Sequence, residues 1–138
     1  MLLSDKWLVE RIGRNTLETI ETNVYQCNLE SKKELERAMG VLSEVAGEKF
    51  IVLVVDFNHL TMNVWPNVIT MECFRTQDFE RFNATFKEII ESGKIRIVVV
   101  SGVSSVGWCV DLLKTRELIR QTAKKHFVTV IYAQNTRC

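Results

Sequence analysis

Phe50-Ile51-Val52-Leu53-Val54-Val55-Asp56-Phe57 is a continuous β-branched run closed by an acid, and it decides the reading of the rest. A half-exposed strand would alternate polar and apolar residues, so an unbroken run of this length predicts a strand covered on both faces, as in the middle of a parallel sheet. Upstream, Ser31-Lys32-Lys33-Glu34 is a capping box, in which the Ser31 hydroxyl and the Glu34 side chain satisfy N–H groups at a helix start. Leu35, Ala38, Met39, Leu42, Val45 and Ala46 then recur at helical spacing, and Gly47 supplies a left-handed stop.

Downstream the same grammar returns. Asp78 caps a second helix whose Phe79, Phe82, Phe86, Ile89 and Ile90 form one stripe ending at Gly93, and Ile95 to Ser101 is a second buried strand. A third helix runs from about Trp108 to Lys125, with Lys124 and Lys125 at the negative end of its dipole, and Phe127 to Ala133 is a closing strand. Val45-Ala-Gly-Glu-Lys before the first strand and Glu91-Ser-Gly-Lys before the second repeat the order helix, glycine, lysine, buried strand. Trp7 to Tyr25 reads as a hairpin turning at Gly13-Arg14-Asn15, with a helix over Asp5 to Ile12 as the alternative for its first part. The expected fold is therefore α/β, with a mixed, largely parallel sheet flanked by helices and entered through an N-terminal hairpin.

At 138 residues, 46% of them hydrophobic, the chain fits one domain spanning residues 1–138 that holds its own core. Eighteen basic residues against seventeen acidic ones, interleaved along the chain, argue against a nucleic-acid partner. Its apolar runs fall well short of the ~20 residues of a membrane helix, and the N-terminus lacks a cationic region followed by a long apolar one, so the expectation is a cytoplasmic protein without an anchor. Cys27, Cys73, Cys109 and Cys138 are spaced too widely for a CxxC pair or a zinc knuckle, and are read as reduced thiols. No metal and no cofactor is expected.

Chemistry in an open α/β sheet belongs beyond the carboxyl ends of the parallel strands. Two stretches fall there. The first carries Asp56, His59, Thr61 and Trp65; the second, Ser101-Gly102-Val103-Ser104-Ser105-Val106-Gly107, opens a helix and could cradle an anion through backbone N–H groups and three hydroxyls. Gly102 and Gly107 have phosphate-loop spacing, but Trp108-Cys109 stands where that motif needs Lys-Ser/Thr, which argues against nucleotide hydrolysis. Asp56 and His59 could form an acid–base pair with Ser101 or Ser104 as nucleophile, or simply cap turns. Cys109 lacks the arginine that a phosphatase loop requires, the nearest following one being Arg116 on the helix. The connection from Trp65 to Gln77 is too apolar for an idle loop: it packs as a short helix or presents a surface to a protein.

The order of elements, and Ile51-Val-Leu-Val-Val-Asp-Phe-Asn-His-Leu-Thr61 with Ile95-Arg-Ile-Val-Val-Val-Ser-Gly-Val-Ser-Ser-Val106, resemble the STAS domain of sulfate transporters and anti-sigma-factor antagonists, over about Thr16 to Lys125. The resemblance implies a non-catalytic regulatory module that docks on a protein partner and is sometimes switched by serine phosphorylation. The family's Asp-Ser-Ser-Gly signature would fall near Val64-Trp65-Pro66-Asn67, where no serine stands; Thr61 is the nearest hydroxyl. A shorter stretch, Lys94 to Leu112, is similar to the strand and Gly-x-Asp-Leu turn of crotonases, which implies an acyl-CoA-related role. The leading expectation is a protein-binding signalling module, open to self-association as a homodimer. The alternative is a sensor of a small anion or metabolite at residues 101–107.

Overall fold

The computed structural model describes residues 17–28, 32–56, 65–72, 79–101 and 110–134, together with Glu10 and Ile12. Six strands form one sheet: β1 (Glu18–Glu21), β2 (Val24–Asn28), β3 (Ile51–Asp56), β4 (Val68–Glu72), β5 (Ile95–Ser101) and β6 (Thr129–Gln134). Their spatial order is β1-β2-β6-β5-β3-β4. All neighbours are parallel except the β1–β2 hairpin at one edge. The protein is thus α/β, with a mixed and largely parallel sheet.

Among the described residues three helices cover the sheet: α1 (Lys32–Ala46), α2 (Phe79–Glu91) and α3 (Val110–Lys125). Most of the residues in the helix stripes legible in the sequence are buried, with Val45 and Ile89 half-buried at the margins. Leu35, Ala38, Met39, Leu42 and Ala46 of α1 pack with Val52, Val54, Ile97, Val99 and Ile131 on one face. Phe82, Phe86 and Ile90 of α2, with Ile119 and Ala123 of α3, pack with Leu53, Val55, Val98, Val100 and Val130 on the other. Val52 to Val55 are 0% exposed, which is why that run carries no polar residue. Each large side chain so buried contributes roughly 1.5–3 kcal/mol.

The two faces follow from crossover hand. β2 to β3 moves across the sheet in one direction over α1, whereas β4 to β5 and β5 to β6 move in the other direction over α2 and α3. Opposite progress on opposite faces keeps one hand throughout. α1 ends where predicted, at Gly47 with φ 51°, and Gly93 closes α2 with φ 78°.

Two expectations are corrected. The described hairpin turns at Thr22-Asn23, and Gly13-Arg14-Asn15 lies outside the described residues. Asn23 takes φ 66°, a left-handed conformation that asparagine tolerates because its short amide bonds locally. Of the apolar connection from Trp65 to Gln77, expected as a short helix or a surface for a protein, residues 68–72 are strand β4, parallel to β3 at the outer edge, and residues 73–77 lie outside the described residues. Asn67, also left-handed at φ 62°, turns the chain into it, with its side-chain amide donating to the Gly47 carbonyl and its own carbonyl accepting from the Val52 N–H at 2.8 Å. Five residues without alternation gave no period to read.

Trp65 lies over α1. A Cβ placed on Gly40 would stand 3.0 Å from the indole Cη2, so glycine here makes room for the ring. Gly40→Leu overpacks this contact and should lower stability by about 1–3 kcal/mol in urea denaturation. The cost of the Gly40→Leu, Trp65→Ala double variant should fall clearly below the sum of the two single costs, since the leucine then fills the space left by the indole.

Candidate functional site

β3 and β5 lie side by side in parallel register, with Asp56 opposite Ser101 at their carboxyl ends. Both side chains follow the parity of Val52, Val54, Ile97 and Val99, so both lie on the α1 face. The Ser101 hydroxyl donates to Asp56 Oδ1 at 3.1 Å, and the two residues are 2% and 0% exposed. A carboxylate at such a depth requires donors, and the serine hydroxyl is one that the neighbouring strand supplies.

The chain diverges from this point. After β3 it returns at Trp65 against α1, on one face; after β5 it enters α3, on the other. Adjacent parallel strands whose continuations leave to opposite faces define a topological switch point, the place where open α/β sheets leave a crevice for ligands. Here the switch point lies between β3 and β5.

Of the residues singled out in the sequence, the structure brings Asp56 and Ser101 together and sets Trp65 half-buried on α1. His59, Thr61, Gly102, Ser104, Ser105 and Gly107 lie outside the described residues, on the two segments that begin at Asp56 and Ser101. The Ser101 hydroxyl is engaged by Asp56, and both side chains are buried. The pair acts as a pin between two strand ends.

One position inward, Tyr132 of β6 stands opposite Val100, with the Arg116 guanidinium carbon 4.6 Å from its ring centroid. Burial pushes the Tyr132 hydroxyl above the ordinary tyrosine range, while Arg116 pulls the other way. Its hydroxyl, 2% exposed as a residue, has no hydrogen-bond partner among the described residues. No pattern in the sequence announced this arrangement, because Tyr132 and Arg116 are joined only by the fold.

Away from the site, an open groove of about 240 Å³ lies between the carboxyl ends of α2 and α3, lined by Lys87, Glu91, Leu118, Gln121, Lys125 and His126. Lys125 there, with Lys124, complements the negative end of the α3 dipole. On the far side of α3, Arg120 bridges Glu21 of β1 at 2.6 Å and also pairs with Glu117, which holds the Glu117 carboxyl below its ordinary range. Cys27 is buried on β2 and forms no disulfide. Among the described residues no three His, Cys, Asp or Glu side chains are grouped to hold a metal ion. No helix among them is long and apolar enough to cross a membrane.

No protein-family model matches the chain, and no curated protein matches it in sequence.

Ser101→Ala removes a buried donor from Asp56 and should cost about 1–3 kcal/mol in chemical denaturation. Tyr132→Phe removes a hydroxyl without a described partner and should leave stability at neutral pH at or above wild type. The sign of its pH effect follows from the raised value: the folded chain keeps the Tyr132 proton while the unfolded chain loses it near pH 10. Stability contributed by this group is present below pH 10 and falls as pH rises past it, and Tyr132→Phe should flatten that fall in denaturation curves taken between about pH 9 and 11.

Proposed function

We propose that this chain is a regulatory binding module of STAS-like type, whose work is to meet a protein partner through the segments 57–64 and 102–109. The observation that carries this reading is the Asp56–Ser101 pin at the β3/β5 switch point. It ties the starting points of the two segments to each other, and the hydrogen bond that does so leaves Ser101 committed to structure. His59 and Thr61 follow from the first strand end, Gly102, Ser104, Ser105 and Gly107 from the second. In this reading Thr61 and the two serines are the hydroxyls through which phosphorylation would switch docking, by adding charge where the partner contacts the module.

Trp65 has a different part. Its packing against Gly40 supports a structural role in returning the chain along α1, with partner contact falling on residues nearer the sheet edge.

A second reading is favoured by the switch point itself: a sensor of a small anion or metabolite, acyl-CoA among them, using the 101–107 turn. The two separate in one experiment. A ligand at a hundredfold excess over its Kd stabilises the folded state by about 2.7 kcal/mol, which is several degrees in Tm.

For the module reading, inorganic phosphate, nucleotides and acyl-CoA should leave Tm unchanged. His59→Ala with Thr61→Ala should abolish capture of a protein partner that Lys94→Ala, at the other end of the strands, retains. A several-degree rise with one of these ligands, lost in Ser104→Ala with Ser105→Ala, would replace the module reading with the sensor.

A further inference from the structure

The two edges of the sheet are treated differently. β1 carries glutamates at positions 18 and 21, a register irregularity between Thr19 and Glu21, and a side-chain bridge from Glu21 to Arg120. Charge, irregularity and a tether are devices that keep an edge from pairing with another chain. β4, at the opposite edge, carries a single charge, Glu72 at its last position, and no register irregularity. Ile69 is 42% exposed, one of two large apolar side chains exposed among the described residues, and Thr70 beside it is exposed as well.

The register fixes what β4 offers. Val52 pairs with Val68 and donates to the Asn67 carbonyl, so the alternation of a parallel ladder turns the peptide groups of Ile69 and Met71 toward β3. Those of Thr70 face outward. A strand arriving antiparallel at this edge finds an N–H and a carbonyl at Thr70 that pair with no other described residue, the pattern of a mutually bonded residue pair.

We infer that β4 is a self-association edge, pairing antiparallel with β4 of a second copy about a two-fold axis at Thr70. A two-fold contact must be self-complementary, and the central residues Ile69, Thr70 and Met71 are, with Glu72 falling opposite Val68 at each end of the pair. Thr70 of each copy exchanges both main-chain hydrogen bonds with Thr70 of the other. Ile69 then stands opposite Met71 of the second copy on the α2–α3 face, where Met71 already packs against the core. Apolar residues directly opposite each other across an antiparallel pair are the unit that stabilises such a join. The exposed part of Ile69 is covered, and the sheet continues from six strands to twelve. A second copy is the occupant because one short segment supplies both halves of every pair.

The inference stands apart from the proposed function, since the axis lies at β4 and leaves the β3/β5 crevice open. Because the join is antiparallel, the carboxyl edges of the two copies point in opposite directions.

Sedimentation of the full chain under reducing conditions, from about 1 μM to 1 mM, reads the equilibrium directly. The wild type should pass from monomer to dimer over that range, with amide exchange at Thr70 slowing as dimer forms. Thr70→Pro removes the outward N–H at an edge position where proline is tolerated, and Ile69→Lys puts a charge on the contact. Each should weaken dimerisation at least tenfold at unchanged circular dichroism. A wild type that stays monomeric throughout, its edge covered by another part of this chain, overturns the inference. So does a dimer of equal affinity in Ile69→Lys; should Thr70→Pro fail to fold, that variant decides alone.

Discussion

Burial of β3 and β5 on both faces is the constraint from which the architecture follows. Strands whose side chains are apolar in both directions must be covered twice, and the three helices among the described residues do this. One helix goes to one face and two to the other, and constant crossover hand then forces the chain to reverse its progress across the sheet. The reversal falls between the two most deeply buried strands. A demand that is purely about packing thus creates the crevice at which the candidate site stands.

At that crevice the apolar pattern stops in both strands at the same level, at Asp56 and Ser101. The hydrogen bond between them is a local answer to a problem set by the sheet: the last buried position of each strand is polar, and each needs the other. Stability and site geometry are consequently coupled. Any change that separates the two strand ends also separates the origins of the segments that carry His59, Thr61 and the Ser104–Ser105 turn.

Helix stripes and buried strands were legible because burial imposes a period or removes one. Phe82, Phe86 and Ile90 repeat at helical spacing, and Val52 to Val55 admit no polar residue. β4 was not legible, since a five-residue edge strand is half-covered and its neighbours decide its conformation; the turn at Asn23 was missed because a glycine upstream, Gly13, is the stronger generic turn signal. For the site, fold logic placed Asp56 and Ser101 at one sheet edge, but their pairing depends on register, which residue type does not encode. Tyr132 under Arg116 is of the same kind: a contact between a strand and a helix with no shared motif. Trp65 reads equally as packing or docking from sequence, because the glycine that makes room for its ring, Gly40, lies on a different element, α1.

The lysine that precedes each central strand has a consequence for synthesis. Ile51–Asp56 emerges from the ribosome long before Ile95–Ser101, its longest neighbour, can pair with it, and a β-branched run without proline is a template for aggregation while it waits. Lys49 and Lys94 are exposed in the folded chain, beside the amino ends of the two runs. They act as gatekeepers, placing a charge against any nascent chain that would stack there before the native sheet closes.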